Sequence, residues 1–145
     1  MSLHGTYDAD NLFAKILRGE IPSVKVFEDD EVLAFMDIFP QSRGHLLVIP
    51  KDSTARNFLE LPEGRVAPLM TRVQKLAQAT EKALKPDGVT VAAFSGAPAG
   101  QTIFHLHFHI IPRYEGARLA GHGHADQRAD MAELQQLAAQ IAAHL

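Results

Sequence analysis

The chain has 145 residues, 46% of them hydrophobic and 21% charged, with 14 basic against 17 acidic side chains for a formal net charge of −3. These figures describe one ordinary globular domain able to build a core, and the slight negative charge argues against a dedicated nucleic-acid binder, which needs a positive field. The lack of cysteine excludes disulfide scaffolds, thiolate zinc sites and thiol nucleophiles.

No apolar run approaches the ~20 residues that cross a bilayer, and the first residues lack a signal-peptide pattern, so the expectation is a cytoplasmic protein without a membrane partner. Met1-Ser2-Leu3 could be a cloning remnant and carries no weight in this reading.

In chain order, Asp10 reads as the N-cap of a short amphipathic helix carrying Leu12, Phe13, Ile16 and Leu17, closed by Gly19. Ile21-Pro22 breaks it. Residues 24–28 and 31–38 read as two strands joined by the acidic turn Asp29-Asp30. Residues 39–44 form a loop, and 45–49 a branched-residue strand stopped by Pro50. Phe58 to Leu61 fits one helical turn. The longest helix is predicted over about 63–84, with Val66, Leu69, Met70, Val73, Leu76, Ala77 and Leu84 as its apolar stripe. Pro86-Asp87-Gly88 ends it. A strand over 89–94, a small-residue loop over 95–101 and a strand over 102–112 follow, then a loop over 116–123. A final helix over 129–145 presents Met131, Leu134, Leu137, Ala138 and Ile141 on one face. The predicted class is α+β: an antiparallel sheet of about five strands with one long helix and shorter ones, the helices covering one face. The whole of 1–145 reads as one domain, with a core over about 8–115 and a C-terminal extension whose helix spans about 127–145.

Histidine is over-represented, with eight residues, three of them within five positions. In the segment Thr102-Ile103-Phe104-His105-Leu106-His107-Phe108-His109-Ile110-Ile111, strand alternation sends Phe104, Leu106, Phe108 and Ile110 to one face and the three histidines to the other. A solvated face would normally use lysine, threonine or glutamate. A metal site meets a distance problem, because the outer two lie ~13 Å apart along a strand and a carboxylate or distant His45 would have to complete the shell. Nucleophilic catalysis suits the row better. Imidazole attacks phosphorus or acyl carbon without metal activation, and the Ser95-Gly96-Ala97-Pro98-Ala99-Gly100-Gln101 loop lets backbone N–H groups approach an anion.

His105-Leu106-His107-Phe108-His109-Ile110-Ile111 resembles the signature of the histidine triad (HIT) superfamily, His-φ-His-φ-His-φ-φ with φ apolar. Asn11-Leu12-Phe13-Ala14-Lys15-Ile16, Leu33-Ala34-Phe35-Met36-Asp37-Ile38, Gly44-His45-Leu46-Leu47-Val48-Ile49-Pro50-Lys51 and Ala99-Gly100-Gln101 extend the resemblance over roughly residues 8–115. It is closest to the Hint-like and bacterial branch of nucleoside phosphoramidases. The resemblance implies a hydrolase that forms a nucleotidyl-histidine on His107 and releases a nucleoside monophosphate, with no cofactor and no metal. It implies that His105 and His109 orient the nucleophile and stabilise phosphate charge, and that His45 adds hydrogen bonding. Gln101 and Thr102 would contact phosphate and leaving group, Asp37 the ribose hydroxyls, and Phe13, Ile16, Ile21 and Phe35 would wall the base pocket. The expected partners are a purine nucleotide substrate (an AMP or GMP conjugate) and a second copy of the chain in a homodimer. Val66, Met70 and Val73 could extend the long helix's stripe toward that copy.

Two departures matter. Phe94 stands where the Hint pattern has asparagine, and Ser95 could replace that residue as a substrate contact. The chain also continues past the triad through His122 and His124, which read as solvated loop. The leaving group stays open among ammonia, alkylamines, lysine side chains, sulfate and a second nucleotide. Arg43, Arg113 and Arg118 could bind polyphosphate. A dinucleoside polyphosphate hydrolase of the Fhit type, a purine-nucleotide binding module with vestigial activity, and a histidine metalloprotein are the competing readings.

Overall fold

A computed structural model describes residues 2–119 and 128–145. The predicted loop beyond Leu119, including His122 and His124, lies outside the described residues. Five antiparallel strands, β1 (Lys25–Glu28), β2 (Val32–Met36), β3 (Leu46–Pro50), β4 (Gly88–Ala92) and β5 (Phe108–Arg113), form one sheet in the order β1-β2-β3-β5-β4. The helices are α1 (Leu12–Leu17), α2 (Glu63–Leu84) and α3 (Met131–Ala142), with 3₁₀ turns at Phe58–Glu60 and Ala97–Ala99. No helix among the described residues is long and apolar enough to cross a membrane.

The central strands are buried on both faces, so they read as continuous apolar runs and their alternation separates two cores. Val32, Ala34, Met36, Leu46 and Val48 join Leu69, Val73 and Leu76 of α2 and Leu134, Leu137 and Ile141 of α3. Leu33, Phe35, Leu47 and Ile49 point the other way and pack with Phe13 of α1. The sheet is therefore covered on both faces, not one. The apolar residues of β2 and β3 are shared between two clusters, and the smaller needs only one turn and a half of helix.

Several boundaries move for local reasons. Asn11, not Asp10, caps α1, its side chain accepting from Ala14 N–H at 2.9 Å. Lys85 closes α2 in the left-handed region at φ 51°. Asp130 caps α3, whose Met131 remains exposed at its start. Val73, expected to reach beyond the monomer, is 2% exposed in this chain's own core, and Val66 and Met70 pack against the same cluster.

The largest revision concerns the histidine segment. Strand pairing begins at Phe108, so His105 and His107 lie before the strand. Val48 pairs with Phe108, and two more residues of that register would set Pro50 against Leu106. Pro50 has no N–H to donate to a ladder. Its carbonyl accepts from His105 Nε2–H at 3.1 Å instead, and Leu106 N–H turns to Ala55 O at 3.0 Å. Phe104 leaves the shared apolar face and sits under the Arg56 guanidinium, 4.9 Å from ring centroid to Cζ.

Gly44 positions the strand that carries His45. It adopts φ +91°, and an added Cβ would lie 2.3 Å from Leu84 Cδ1 and 3.2 Å from Pro112 Cγ. Gly44→Ala is expected to lower unfolding free energy by about 1–3 kcal/mol, from backbone strain and overpacking together. Urea unfolding with an unchanged m-value would register this; full retention of stability would refute it.

Candidate active site

Cross-strand register sets the floor of a cleft on the α1 face. Phe35 of β2, Leu47 of β3 and His109 of β5 stand side by side, because Phe35 pairs with Leu47 and Leu47 with His109. Phe13 and Ile16 of α1, with Ile21 after it, form an apolar wall. Asp37, at the end of β2, and Thr102 and His107, before β5, supply polar groups at the opposite side. Phe13 meets Phe35 edge-on at 5.5 Å between ring centroids and meets His107 edge-on at 4.9 Å. The cleft thus combines a slot for a flat apolar group with converging polar side chains, the usual composition of a small-molecule site.

Hydrogen-bond direction assigns the imidazole tautomers, because a carbonyl only accepts and an amide N–H only donates. His107 Nδ1 lies 2.7 Å from the carbonyl oxygen of His105, so Nδ1 carries the hydrogen and Nε2 the lone pair of the neutral ring. His45 Nδ1 accepts from Gln41 N–H at 3.0 Å, so its hydrogen sits on Nε2, which reaches His109 Nδ1 at 3.0 Å and Asp37 Oδ2 at 3.5 Å. His109 accepts at Nδ1 and holds its own hydrogen on Nε2. His105 donates from Nε2 to Pro50 O and accepts at Nδ1 from the Tyr7 hydroxyl at 2.7 Å. Each tautomer follows from a backbone atom or a neighbour already assigned.

The same reasoning tests the metal reading. Ligand atoms of Asp37, His45 and His109 all lie within 4.8 Å of one another, close enough for one ion. A metal on His45 Nε2 would force the hydrogen onto Nδ1, against the donating Gln41 N–H. The Gln41 N–H bond to His45 Nδ1 therefore opposes metal on His45 Nε2.

The cleft brings together Phe13, Ile16, Ile21, Phe35, Asp37, Thr102, His107 and His109. The remaining candidates sit behind it or beside it. His45 and His105 are fully buried, supporting His109 and His107 from below. Gln101 does not line the cleft: its Oε1 accepts from Gly96 N–H at 2.8 Å and its Nε2 donates to Arg56 O at 2.6 Å and Ile103 O at 3.0 Å, bracing the small-residue loop. Ser95 does not line it either. Asp37 is both a turn former, its Oδ1 accepting from Phe39 N–H at 2.9 Å, and a cleft residue. Phe94 lies 5.2 Å from the His109 ring, packing where an amide side chain was expected to bond. Arg43, Arg113 and Arg118 do not line the cleft, and Arg43 faces Glu133 at 3.9 Å.

The sequence reading missed Tyr7, 98 positions from its partner His105, because no local pattern marks such a contact. It also set aside the first residues. Ser2 Oγ accepts from Ala97 N–H at 3.0 Å, and Leu3 O accepts from Asn57 Nδ2–H at 2.8 Å, so the N-terminal segment straps the loop before the triad.

Burial holds the His105 imidazole below its ordinary range, so it is neutral at pH 7. The unfolded chain takes up a proton at this residue near pH 6.5, before the folded one does. The stability present above that pH is therefore lost as pH falls from about 6.5 toward the folded-state value. Ring-proton NMR titration should find His105 titrating below the ordinary imidazole value of about 6.5 that an unfolded reference shows. In Tyr7→Phe its midpoint should move upward, because the neutral ring loses a donor; an unmoved midpoint would remove Tyr7 from the network.

The HIT domain family profile matches residues 18–116. An uncharacterized HIT-like protein of Methanocaldococcus jannaschii is 46% identical over 105 residues, covering 72% of this chain and 80% of its own. Adenylylsulfatase HINT3 of Arabidopsis thaliana is 43% identical over 110 residues, covering 76% of this chain and 55% of its own. The crystal structure of a HIT-like protein involved in cell-cycle regulation from Bartonella henselae superposes with a TM-score of 0.89 at 48% identity, over 97% of this chain and 100% of that one. The profile spans more than half of the chain and the relatives are well over a third identical to it over the matched stretches, so the chain belongs to the HIT domain family, a superfamily of nucleotide-binding proteins and hydrolases.

Proposed function

We propose that the protein is a hydrolase that cleaves the α-phosphate bond of purine nucleoside phosphoramidates or related nucleotide conjugates through a nucleotidyl intermediate on His107. The observation that carries this is the His107 Nδ1–H bond to the His105 carbonyl, which puts the ring's lone pair on Nε2 in a residue that lines the cleft. A neutral imidazole so oriented is a nucleophile without further activation.

In the first step, Nε2 of His107 attacks the α-phosphorus, the N–P bond forms, and the bond from phosphorus to the leaving nitrogen or oxygen breaks. A leaving amine takes up a proton from solvent water; a leaving anion keeps the electron pair. The Nδ1–H bond strengthens as the ring becomes cationic, so the His105 carbonyl stabilises the intermediate. His109, with its hydrogen on Nε2, is proposed to donate to an equatorial phosphate oxygen, where transfer at phosphorus gains most. In the second step, water attacks phosphorus, the N–P bond breaks, and a nucleoside monophosphate leaves. Asp37 is proposed to accept from the ribose hydroxyls and the Phe13, Ile16, Ile21 and Phe35 wall to hold the purine. The HINT3 relative, named for adenylylsulfate, supports a nucleotide conjugate as the substrate class. The family resemblance supports action as a homodimer.

The experiment is steady-state hydrolysis of adenosine 5′-phosphoramidate with and without chelator. Turnover should resist the chelator. His107→Ala should reduce kcat by about 10³-fold or more while AMP affinity stays within about tenfold. AMP binding by wild type with no turnover of any conjugate would instead favour the binding module.

Asp37→Asn should raise KM about tenfold for the ribonucleotide conjugate and leave that of the 2′,3′-dideoxy conjugate nearly unchanged. Equal effects on both would remove Asp37 from ribose recognition.

A further inference from the structure

Leu12, Thr102 and Ile103 line both the cleft and a second cavity, whose other walls are Thr6, Asp8, Asn11, Arg56 and Phe104. Arg56 is 9% exposed, and its guanidinium lies over the Phe104 ring. Its Nη1 reaches only the Ser2 carbonyl, at 3.3 Å, and its buried Nε has no acceptor among the described residues. No carboxylate among the described residues lies within 4.0 Å of it. Asp8 lines the same cavity without an ion pair to Arg56, and both it and Glu60 accept from backbone N–H groups. Glu60 Oε1 accepts from the Arg56 backbone N–H at 2.8 Å, and Asp8 Oδ1 accepts from Asp10 N–H at 2.8 Å.

A buried guanidinium with no carboxylate in contact is costly, and one held over an aromatic ring is preorganised for an oxyanion. We propose that this second cavity is the leaving-group subsite and that Arg56 selects conjugates whose leaving group carries an oxyanion, phosphate or sulfate, over those that release a neutral amine. The inference rests on the nucleotide-conjugate reading above and names its substrate class.

The chemistry agrees with the lining. When Nε2 of His107 bonds to the α-phosphorus, the bond from phosphorus to the bridging oxygen breaks, and the electron pair stays on that oxygen. The departing phosphate or sulfate needs no proton, and the guanidinium offsets its charge. Thr6 and Thr102 add hydroxyl donors. An amine would need a proton on departure, and the neutral hydroxyls of this cavity are poor acids.

The test compares kcat/KM for adenosine 5′-phosphosulfate, ADP and an N-alkyl adenosine phosphoramidate in wild type, Arg56→Gln and Arg56→Lys. Arg56→Gln should lower the values for the oxyanion conjugates about tenfold or more and leave the alkyl conjugate within about twofold, with Arg56→Lys recovering part of the loss. The relative loss on phosphosulfate and ADP separates sulfate from phosphate. Equal losses on all three substrates would make Arg56 a support for the N-terminal segment, and no loss would remove it from the site; either result overturns the proposal. If Arg56→Gln does not fold, Thr6→Glu, which adds a negative charge to the same cavity, should depress the oxyanion conjugates selectively, and uniform or absent effects would refute the subsite. If wild type turns over none of the three, the hydrolase reading fails. The subsite is then decided by binding: tighter binding of ADP than of AMP, lost in Arg56→Gln, supports it, and equal affinities overturn it.

Discussion

The contact on which the site depends is the 2.7 Å bond from His107 Nδ1–H to the carbonyl oxygen of His105. A carbonyl has no hydrogen to give, so this one contact decides the tautomer of the ring that faces the cleft. It also requires the backbone at residue 105 to be held still. Three groups do that: Pro50 O accepts from the ring of His105, Tyr7 donates to it, and Ala55 O takes the following N–H. A strand ladder running through the whole triad would have engaged these backbone atoms in strand pairing. Proline at the end of β3 stops the ladder and releases them.

His109 is governed by a second chain of fixed direction, from Gln41 N–H through His45 to His109. Both chains begin at backbone atoms and end at cleft-lining imidazoles. The four histidines are neighbours with different environments: two fully buried and committed to supporting bonds, two at the cleft. The cluster of Asp37, His45 and His109 has the separation a metal would need but the wrong protonation, and the backbone N–H of residue 41 makes that difference.

Much of the fold was legible because its signals are local and periodic. The 22 residues of α2 match their apolar stripe and closing Pro-Asp-Gly. The strands beside it carry branched residues bounded by turns. Phe13, Ile16 and Phe35, singled out from the sequence, line one cleft in the structure. What misled was alternation itself. Strict spacing at 105, 107 and 109 reads as one exposed strand face, whereas the chain bends at 103–105 and buries all three rings. Alternation reports which side a residue would take if the strand continued, and continuation depends on a partner strand distant in sequence. Gln101 was misplaced for a related reason: an amide beside a small-residue loop suits a ligand or the loop's own backbone equally, and here the backbone of residues 56, 96 and 103 takes it.

The sequence by itself determined the α+β class and the family, because these rest on residue type and spacing along the chain. Tertiary structure alone decided which nitrogen of each imidazole holds its hydrogen, because that depends on Tyr7, Gln41 and Pro50, partners brought in from other elements. It likewise decided that Arg56 lies buried without a carboxylate among the described residues beside Thr102, a juxtaposition of positions far apart in sequence. Hydrogen-bond direction and charge compensation act through space over a few ångströms, and chain spacing carries no record of them.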